Sequence, residues 1–352
     1  MHKDLHSTRQ STQDACVPKS ASKLIESLLD AAISAREVLF EARHETAFRL
    51  FAGFTEGCPD LVVDLYGATL VLHNYADPPA SGETLTLAAQ TFLQTRLPWV
   101  KAIIVKHRHS PDQIARRGTL VYGTTADRRV REHGVWYALD LTINRDASLY
   151  LDTRHLRRWA LDHLQGKTVL NTFAYTGSLG VAAQAAGASR VVQCDLNRSF
   201  LNVAKTSYTL NGFPIHKGDF QTGDFWSHMN RLKRAGERFD CVFVDPPFFA
   251  TTRQGVVEMT AKPEKVINKV RPLVEDGGYL VAINNALYMS GAAYIETLES
   301  LCADGYLSIE ELIPVPDDFI GYPQTQIGKP ITDPAPFNHA TKIAILRVRR
   351  KQ

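Results

Sequence analysis

Residues 168–195 read TVLNTFAYTGSLGVAAQAAGASRVVQCD, and this stretch decides the fold class. A β-rich run comes first, a segment rich in glycine and alanine follows from Gly177, and a second β-rich run ends in Asp195. Short apolar runs separated by a segment of helix length are typical of a strand–helix–strand unit. The stretch therefore predicts two parallel strands connected by a helix.

The alternation continues to the end of the chain. Helices are predicted over 197–212, 224–236, 263–278 and 291–305, and strands over 240–245, 279–284, 307–315 and 341–350. Regular alternation of this kind predicts a parallel sheet with helices on both faces. Ligands of such sheets bind beyond the carboxyl ends of the strands, so the residues that follow each strand are the candidates for a site.

The first part of the chain has a mixed pattern. Apolar residues recur at helical spacing over 22–41, and LVVDLYGATLVLHNY at 61–75 contains a Tyr-Gly turn between two β-rich runs. KAIIVK at 101–106 is another strand candidate. We expect a flexible tail over 1–20, a smaller α/β domain over 21–145, and a larger domain over 146–352.

Composition narrows the class of protein. No apolar run among the 352 residues approaches the ~20 that a membrane helix needs. The first 20 residues are polar and lack the apolar core of a signal peptide. The five cysteines are scattered and form no CxxC pair, which argues against a disulfide framework or a zinc site. We therefore expect a cytoplasmic protein that uses no metal.

Basic residues are concentrated between Lys101 and Arg131, where eight Lys or Arg stand against two Asp. The net charge of the whole chain is only +3. Such a cluster is either a solvated face, since Lys and Arg are normally exposed, or a surface that contacts phosphates. Composition leaves both interpretations open.

Three predicted strand ends carry residues suited to a nucleoside. The loop NTFAYTGSLG at 171–180 lacks the GxGxxG pattern, but Gly177 lets the backbone turn tightly and approach a ligand. Asp195 follows the second strand, where a carboxylate either accepts both hydroxyls of a ribose or caps the next helix. HKGDF at 216–220 follows the expected third strand, and its Asp219 and Phe220 could hold and stack an adenine. Together these residues outline a nucleoside site across three adjacent strand ends.

This pattern resembles the class I S-adenosylmethionine-dependent methyltransferases. The resemblance implies an α/β fold with a Rossmann-like seven-stranded sheet, whose last two strands form a terminal antiparallel hairpin, preceded by a smaller α/β domain. It implies S-adenosylmethionine as the cofactor, with methionine against 171–177, ribose on Asp195 and adenine by Asp219 and Phe220. The cofactor-binding residues that it implies are Asn171, Phe173, Tyr175, Thr176, Gly177, Asp195, Leu196, Asp219 and Phe220.

The stretch CVFVDPPFFA at 241–250 ends a strand on Asp-Pro-Pro-Phe. It resembles the motif of methyltransferases that act on nitrogen in nucleobases or similar planar groups. Asp245 and the carbonyl of Pro246 can accept the N–H hydrogens of such a nitrogen, while the prolines fix the turn and offer no competing donor. Phe248 offers a planar base a stacking face worth ~1–3 kcal/mol. The predicted catalytic residues are Asp245, Pro246, Pro247 and Phe248, with Phe249 beside them at the substrate.

A second Asp-Pro-Pro, at 77–79, has no aromatic residue after it and lies outside the alternating region. We assign it to a loop. The position directly after a predicted strand is therefore what identifies the motif at 245–248 as a candidate site.

Two further stretches narrow the resemblance. FRLFAGFTEGCPDLVVDLYGATLVLH at 48–73 and LYLDTRHLRRWALDHLQGKTVLNTFAYTG at 149–177 are similar to RNA methyltransferases that modify bases of large-subunit ribosomal RNA. The similarity implies an RNA substrate, ribosomal RNA in particular, which the domain over 21–145 could contact. It also implies that Asp152 and Arg154, in the LDTR run, lie at the mouth of the cofactor site.

Three features depart from those relatives. Only about 20 mostly polar residues precede the similar region, so we expect no PUA-type RNA-binding module such as some relatives carry. NRDAS at 144–148 stands where a Lys-Thr-Gly-like run is usual. Enzymes that methylate carbon 5 of cytosine need a thiolate after the fourth or fifth strand. Asn284 and Asn285 stand there instead, and we expect neither Cys194 nor Cys241 to face a base. The asparagine pair resembles a branch that methylates a guanine ring nitrogen, so we expect direct transfer to nitrogen.

A long loop at 314–340, PVPDDFIGYPQTQIGKPITDPAPFNHA, interrupts the final hairpin with prolines, glycines and aromatic residues. Loops of this length inside a compact domain are usually functional or disordered. The long loop is therefore either a lid or acceptor-binding loop, or a segment without a role in catalysis. Its candidate contacts are Phe319, Tyr322, Phe337, Asn338 and His339.

Three functions remain open at this point. The leading one is a methyltransferase for a nucleobase nitrogen in RNA. The second is a methyltransferase for an amine of a small molecule or protein, which needs no basic surface near Asp245. The third is a non-catalytic, cofactor-binding protein associated with RNA, for which the motif at 245–248 would be superfluous. The position of the 101–131 cluster relative to Asp245 discriminates between the first two.

Overall fold

The structure, a computed structural model, describes residues 19–247, 249–252, 255–258 and 263–350. Residues 1–18 of the expected tail lie outside these ranges, and the first helix begins at Lys19. The α-helices are α1 (Lys19–Ala35), α2 (Glu83–Arg96), α3 (Gln113–Arg117), α4 (Arg154–His163), α5 (Ser178–Ala185), α6 (Arg198–Leu210), α7 (Phe225–Arg234), α8 (Pro263–Val270), α9 (Gly291–Cys302) and α10 (Asp317–Ile320). Short 3-10 helices span Glu37–Leu39, Pro79–Gly82, Lys217–Asp219 and Arg271–Leu273. Among the described helices, none has the length and apolar character needed to cross a membrane.

The first sheet has five strands in the order β1-β2-β3-β4-β5. They are β1 (Ala47–Ala52), β2 (Leu61–Tyr66), β3 (Thr69–Asn74), β4 (Ala102–His107) and β5 (Thr119–Tyr122). β3 and β4 run parallel, and the other neighbours are antiparallel. The predicted Tyr-Gly turn joins β2 to β3, where Gly67 has a φ of 65° that glycine adopts without steric cost. Leu29 of α1 and Leu93 of α2 pack with Phe48 in the core of this sheet.

A hairpin and the long loop connect this sheet to the rest of the molecule. β6 (Arg129–Glu132) and β7 (Val135–Ala138) pair with each other. The Asn211 side chain, just beyond α6, donates to the carbonyl of Trp136 at 2.7 Å and accepts its N–H at 2.9 Å. In the long loop, the N–H of Ile327 donates to the carbonyl of Thr55 at 2.8 Å. Because both connections cross between the two parts, the domain boundary expected at residue 145 stays a prediction.

The second sheet has seven strands in the order β10-β9-β8-β11-β14-β16-β15. The remaining strands are β8 (Thr168–Thr172), β9 (Arg190–Asp195), β10 (Phe220–Thr222), β11 (Phe239–Val244), β12 (Phe249–Thr252), β13 (Gly255–Glu258), β14 (Val274–Asn284), β15 (Leu307–Ile313) and β16 (Lys342–Val348). β12 and β13 form a separate hairpin. The first five strands of the order are parallel, and β16 runs antiparallel to both of its neighbours. The predicted seven-stranded sheet with a terminal antiparallel hairpin is thereby confirmed.

Side chains of β11 alternate between the two faces of the second sheet. Val242 and Val244 pack with residues of α7, α8 and α9, whereas Cys241 and Phe243 pack with residues of α4 and α5. Burial on both faces explains why parallel strands of this kind read as continuous apolar runs. Polar residues of the sheet can therefore meet a ligand at the strand ends.

Two elements differ from the sequence-based prediction. The helix expected over 263–278 ends at Val270, because Pro272 has no amide hydrogen with which to continue the helical ladder. β14 then begins at Val274. The third strand end was expected just before HKGDF, but the three-residue strand β10 begins at Phe220, at the edge of the sheet beside β9. Its position decides which residues reach the site.

Candidate active site

A cavity of about 320 Å³ opens at the carboxyl ends of the parallel strands of the second sheet. Its volume falls within the ~300–1,000 Å³ range of small-molecule sites. Residues at or just beyond the ends of β8, β9, β10, β11 and β14 contribute to its wall. The lining residues are Asn144, Asp146, Tyr150, Asp152, Thr153, Phe173, Tyr175, Cys194, Asp195, Leu196, Phe200, Gly223, Asp224, Phe225, Asp245, Pro247, Ile283, Asn285 and Thr341.

The loop after β8 has an uncommon backbone conformation. Phe173 and Tyr175 both line the cavity and have positive φ values of 56° and 51°, which few residues other than glycine adopt. The hydroxyl of Thr176 donates to the backbone carbonyl of Ser148. Gly177 has a φ of 78°, and a Cβ there would lie 2.5 Å from the Gln193 side chain. Backbone strain of this kind is concentrated at ligand sites.

Asp195 ends β9 with its side chain on the cavity wall. Its Oδ2 accepts the N–H of Tyr175 at 2.8 Å, and its Oδ1 accepts the N–H of Asn197 at 2.7 Å. The side chain of Asn197, not that of Asp195, caps α6 by accepting the N–H of Ser199 at 2.9 Å. Burial raises the pKa of Asp195. Since each carboxylate oxygen has more than one lone pair, Asp195 can still accept hydroxyls from a ligand.

The sequence Gly-Asp-Phe occurs twice around β10, and the strand separates the two copies. The first copy ends where β10 begins, and the second, at 223–225, follows the last residue of the strand. Asp219 forms an ion pair with Arg190 at 3.0 Å, and together with Phe220 it borders a separate small cavity. The structure therefore does not bring Asp219 and Phe220, which were expected beside the adenine, to the cavity of Asp195. These two residues do not share a cavity with Asp195, because they lie at the start of β10, whereas the site lies at its carboxyl end.

One carboxylate oxygen of Asp224, in the second copy, is buried without a partner. The other oxygen, Oδ1, caps α7 by accepting the N–H of Ser227 at 3.1 Å. Oδ2 has no hydrogen-bond partner among the described residues. A buried acceptor without a partner costs free energy, so Oδ2 marks a place for a donor from a ligand. Phe225 stacks on Phe173 with 4.4 Å between ring centroids and supplies an apolar wall.

Asp245 follows β11 and faces the same cavity, with Pro247 beside it. Burial, together with the nearby negative charge of Asp152, raises the pKa of Asp245 to about 7. Oδ2 of Asp152 accepts the hydroxyl of Thr341 at 2.8 Å, while its buried Oδ1 has no partner in the described part of the chain. Burial raises the pKa of Asp152 as well. Perturbed carboxyl groups in one cleft are typical of a functional site.

Comparison with known proteins agrees with this geometry. The family described as S-adenosylmethionine-dependent methyltransferase matches residues 49–317. The chain belongs to this family. It is 30% identical over 308 residues to YwbD of Bacillus subtilis, which is named as a candidate ribosomal RNA large subunit methyltransferase (83% of this chain and 75% of that one). It is 25% identical over 286 residues to ribosomal RNA large subunit methyltransferase I of Erwinia tasmaniensis (80% and 72%).

The methyltransferase also resembles solved structures. Its fold matches the crystal structure of SMU.776, a candidate methyltransferase complexed with SAH, with a TM-score of 0.79 and 20% identity. The match covers 93% of this chain and 82% of that one. At this level of identity the likeness shows the fold alone, and it agrees with the expected Rossmann-like sheet. S-adenosylmethionine is the cofactor of the family to which the chain belongs.

The methyltransferase brings part of the predicted site together around the cavity. Its predicted lining residues are Asp152, Phe173, Tyr175, Asp195, Leu196, Asp245, Pro247 and Asn285. Other predicted residues lie behind this wall. Asn171 is buried and its amide donates to Gln193 at 3.4 Å. Arg154 forms an ion pair with Asp318 at 2.8 Å, and Pro246 stands between two lining residues without lining the cavity itself.

The two asparagines at the end of β14 have different surroundings. Asn285 is exposed and lines the cavity of the methyltransferase. Asn284 is completely buried, and its side chain accepts the N–H of Ala286 at 2.8 Å. Phe248 lies outside the described residues, and Phe249 begins β12 with a side chain that is not described. Their roles at the substrate stay predictions.

The residues of the long loop that were expected to contact a substrate pack inside the protein and do not line the cavity. Phe337 lies in the core of the second sheet, and the Asn338 side chain bonds to neighbouring backbone groups at 2.9 and 2.8 Å. Burial lowers the pKa of His339 to about 3. Phe319 lies under the guanidinium group of Arg49 in β1, and Tyr322 lies under that of Arg36, just beyond α1. In this structure these residues attach the loop to the two sheets, and their contact with a substrate stays a prediction.

The sequence-based prediction also missed residues that line the cavity. Asn144 and Asp146 belong to NRDAS, and the only signal was the departure of this segment from the usual pattern of relatives. Asp224 and Phe225 carried a clearer signal, because they repeat the Gly-Asp-Phe sequence that was assigned to the site. Tyr150 and Thr341 carried no signal in the sequence that could have identified them. They come from segments far apart in the chain that meet only in the folded molecule.

Proposed function

We propose that this methyltransferase modifies a nucleobase nitrogen in RNA in the cytoplasm, and that its substrate is large-subunit ribosomal RNA. The names of the relatives support this substrate class. The observation that carries the proposal is the position of Asp245. Its carboxyl group, with a pKa raised to about 7, lies on the same cavity as Asp195 and Asp224.

The hydrogen-bond acceptors and apolar side chains of the cavity fit the cofactor. S-adenosylmethionine supplies a methyl group bonded to a positively charged sulfur. Asp195 would accept the hydroxyls of its ribose, and the unpartnered Oδ2 of Asp224 would accept a hydrogen of the adenine amine. Phe225 and the exposed Leu196 would contact the adenine faces. The strained loop at 173–177 would receive the methionine part.

Asp245 is suited to receive hydrogens from an acceptor nitrogen. An ionised carboxylate is a hydrogen-bond acceptor only, so it would orient an N–H group and keep the nitrogen lone pair directed at the methyl group. A base with a pKa near the working pH can also take up the proton that the nitrogen loses. Pro246 and Pro247 have no N–H groups that could compete for the carboxylate.

The cysteines support direct transfer to nitrogen. Cys194 lines the cavity, but burial raises its pKa to about 12. Burial also raises the pKa of Cys241, and that of Cys58 to about 11. Thiols of this kind supply almost no thiolate, which is the reactive form. Cys16 lies outside the described residues.

The position of the basic cluster favours RNA over a small-molecule amine as the substrate. Arg108 and Arg116 border an open cavity that shares Asn144 and Asp146 with the cavity of Asp245. Other members of the cluster lie elsewhere, since Arg129 and Arg131 pack over the Trp136 ring. Basic side chains beside the acceptor site suit a substrate with a phosphate backbone.

The proposal is tested by mass spectrometry of nucleosides from purified large-subunit ribosomal RNA. A deletion strain should lack one methylated nucleoside, and the wild-type gene should restore it. The Asp245→Asn variant, expressed at the same level, should fail to restore it. An unchanged nucleoside profile in the deletion strain would overturn the ribosomal RNA proposal. A lost nucleoside methylated on carbon would overturn the assignment to nitrogen.

A further inference from the structure

A second cavity, of about 520 Å³, opens directly beside the active site. Asn144 and Asp146 line both cavities, so the segment 144–146 forms the wall between them. The second cavity has three arginines and a histidine around it, and we call it the basic cavity. These four residues are Arg108, His109, Arg116 and Arg145.

The basic cavity has an excess of positive charge. Arg108 is compensated, because it donates to Asp146 Oδ1 at 2.7 Å and to the carbonyl of Arg145 at 2.5 Å. The guanidinium groups of Arg116 and Arg145 have no carboxylate within ion-pair distance in the described ranges of the chain. Asp112 and Asp146 interact electrostatically with Arg116 and Arg145 without forming ion pairs with them. Guanidinium groups of this kind favour an anion, and their planar donor geometry suits phosphate.

The backbone that carries these two arginines is held by a buried lysine. The ammonium of Lys106 is completely buried and donates to the carbonyls of Arg117 at 2.7 Å and Asn144 at 2.9 Å. These carbonyls belong to residues adjacent in sequence to Arg116 and Arg145. A site positioned in this way loses less conformational entropy when it binds a ligand.

A row of aromatic rings extends from the basic cavity across the first sheet. The rings of Phe54 and Tyr75 are 4.8 Å apart, and those of Tyr75 and His109 are 6.5 Å apart. Arg108 lies over Tyr75 at 5.3 Å. Phe54, at the outer end, is 45% exposed. We call Phe54, Tyr75 and His109 the aromatic row.

We propose that the basic cavity and the aromatic row bind an unpaired stretch of RNA whose acceptor base enters the active site. Arg116 and Arg145 would contact phosphates next to the acceptor nucleotide, and a neighbouring base would stack at Phe54. Enzymes that modify a base act on single-stranded substrate or on a base taken out of its stack. Positive grooves lined with aromatic rings are typical of single-strand binding, because every base has a face that can stack. This inference rests on the proposed action on RNA and adds the path of the strand.

The charge part of the inference is tested with the double variant Arg116→Gln/Arg145→Gln. The matched control, Lys233→Gln/Arg234→Gln, removes two exposed charges at the far end of α7. Binding of a short fluorescein-labelled single-stranded RNA is measured by anisotropy over a range of salt concentrations. The double variant should bind about tenfold more weakly, and its salt slope should fall by about 1.4, as expected for two lost phosphate contacts on a single strand. Arg116→Lys/Arg145→Lys should keep most of the slope.

The stacking part is tested with Phe54→Ala. This variant should weaken binding of the single-stranded RNA by about tenfold without changing the salt slope, and it should leave binding of an RNA duplex unchanged. Circular dichroism checks that each variant is folded. In methylation assays, both the charge and the stacking variants should raise KM for RNA with kcat within about twofold of wild type, since neither removes a group from the reacting centre.

Each part has a result that overturns it. Equal affinity and salt slope for the Arg116/Arg145 variant and the Lys233/Arg234 control would overturn the phosphate contacts. A wild-type protein that prefers duplex RNA, or that polyglutamate displaces as readily as RNA does, would overturn the single-strand path. If the variants lose RNA affinity as expected but no ribosomal nucleoside depends on the enzyme, the proposed ribosomal substrate fails and the RNA path stands. If the nucleoside is restored and the variants match the control, the path fails and the proposed function stands.

Discussion

Arg154 binds Asp318 with two hydrogen bonds, from Nη1 to Oδ1 at 2.8 Å and from Nη2 to Oδ2 at 3.0 Å. Asp318 belongs to α10 in the long loop, and its Oδ2 also accepts the N–H of Arg49 in β1 at 3.1 Å. Three segments far apart in the chain thus meet at Arg154, which follows Asp152 by two positions. Arg154, expected at the cofactor, is therefore placed to position the wall that carries Asp152.

Removal of Asp318 should destabilise the fold more than it impairs the cofactor site. Loss of one partner of a buried ion pair costs ~3–5 kcal/mol, so Asp318→Ala should lower the midpoint of thermal unfolding clearly. The exposed neighbour Asp317 provides the control variant Asp317→Ala. Affinity for S-adenosylmethionine, measured by calorimetry while the protein is folded, should change less than threefold. Equal unfolding midpoints for the two variants would contradict this role.

The two Gly-Asp-Phe copies should differ in their effect on cofactor binding. Asp224→Asn keeps an oxygen for the helix cap but replaces an acceptor by a donor opposite the adenine amine. It should weaken binding of S-adenosylmethionine at least tenfold, or ~1.4 kcal/mol. Asp219→Asn should leave calorimetric affinity nearly unchanged, because this residue pairs with Arg190 at another cavity. The reverse order of effects would return the adenine to the first copy.

Asp195→Ala should also weaken S-adenosylmethionine binding at least tenfold, because it removes the acceptor proposed for the ribose hydroxyls. Asn197→Ala is the matched control, since it removes the cap of α6 and leaves the carboxylate in place. Both variants are compared by calorimetry and by thermal unfolding. A folded Asp195→Ala variant with wild-type affinity would rule out the ribose contact.

Turnover should depend on the ionisation of Asp245. With a pKa raised to about 7, the carboxyl is neutral at low pH, and kcat should rise as pH increases through that value and level off above it. Asp245→Asn should abolish turnover and change cofactor affinity little, because the proposed partner of Asp245 is the acceptor base. Single-turnover assays over a pH series measure the first effect, and calorimetry measures the second. Equal loss of both would move Asp245 into the cofactor site.

The same residue should make stability depend on pH. The folded protein binds this proton more tightly than the unfolded chain, whose aspartate pKa is near 3.8. Its contribution to stability is therefore fully present below that value and is lost as pH rises through about 7. Asp245→Asn, which is neutral at every pH, should unfold at a higher temperature than wild type at pH 8 without cofactor. The difference should vanish toward pH 4.

A protein in which Cys58, Cys194, Cys241 and Cys302 are all changed to Ser or Ala should keep measurable activity. A mechanism at carbon 5 would need a covalent bond between a thiolate and the base, and burial raises the pKa of each of these thiols. RNA containing 5-fluorocytidine should form no adduct that survives denaturation. Circular dichroism must accompany the assay, since Cys194 and Cys241 are buried. A stable adduct lost with one cysteine would return the protein to the cytosine branch.

Local pattern was enough to predict the second sheet apart from its edge strand β10. The alternation of strands and helices from residue 151 onward, and continuous apolar runs such as that of β11, reflect burial of each strand on both faces. These are properties of neighbouring residues, so the chain shows them before it folds. The turn at Gly67 and the position of Asp195 and Asp245 just where a strand ends follow from the same kind of pattern.

Other features depended on contacts between distant segments. β10 has only three residues, and its limits are set by pairing of Phe220 with Gln193 and of Thr222 with Asp195 across the sheet. This pairing, not the Gly-Asp-Phe sequence, selects Asp224 over Asp219. The ion pair of Arg154 with Asp318 likewise joins residues 164 positions apart. Sequence pattern determines which segments become strands, because periodicity and burial are local, whereas register and long-range pairing decide which of two similar side chains reaches the cavity.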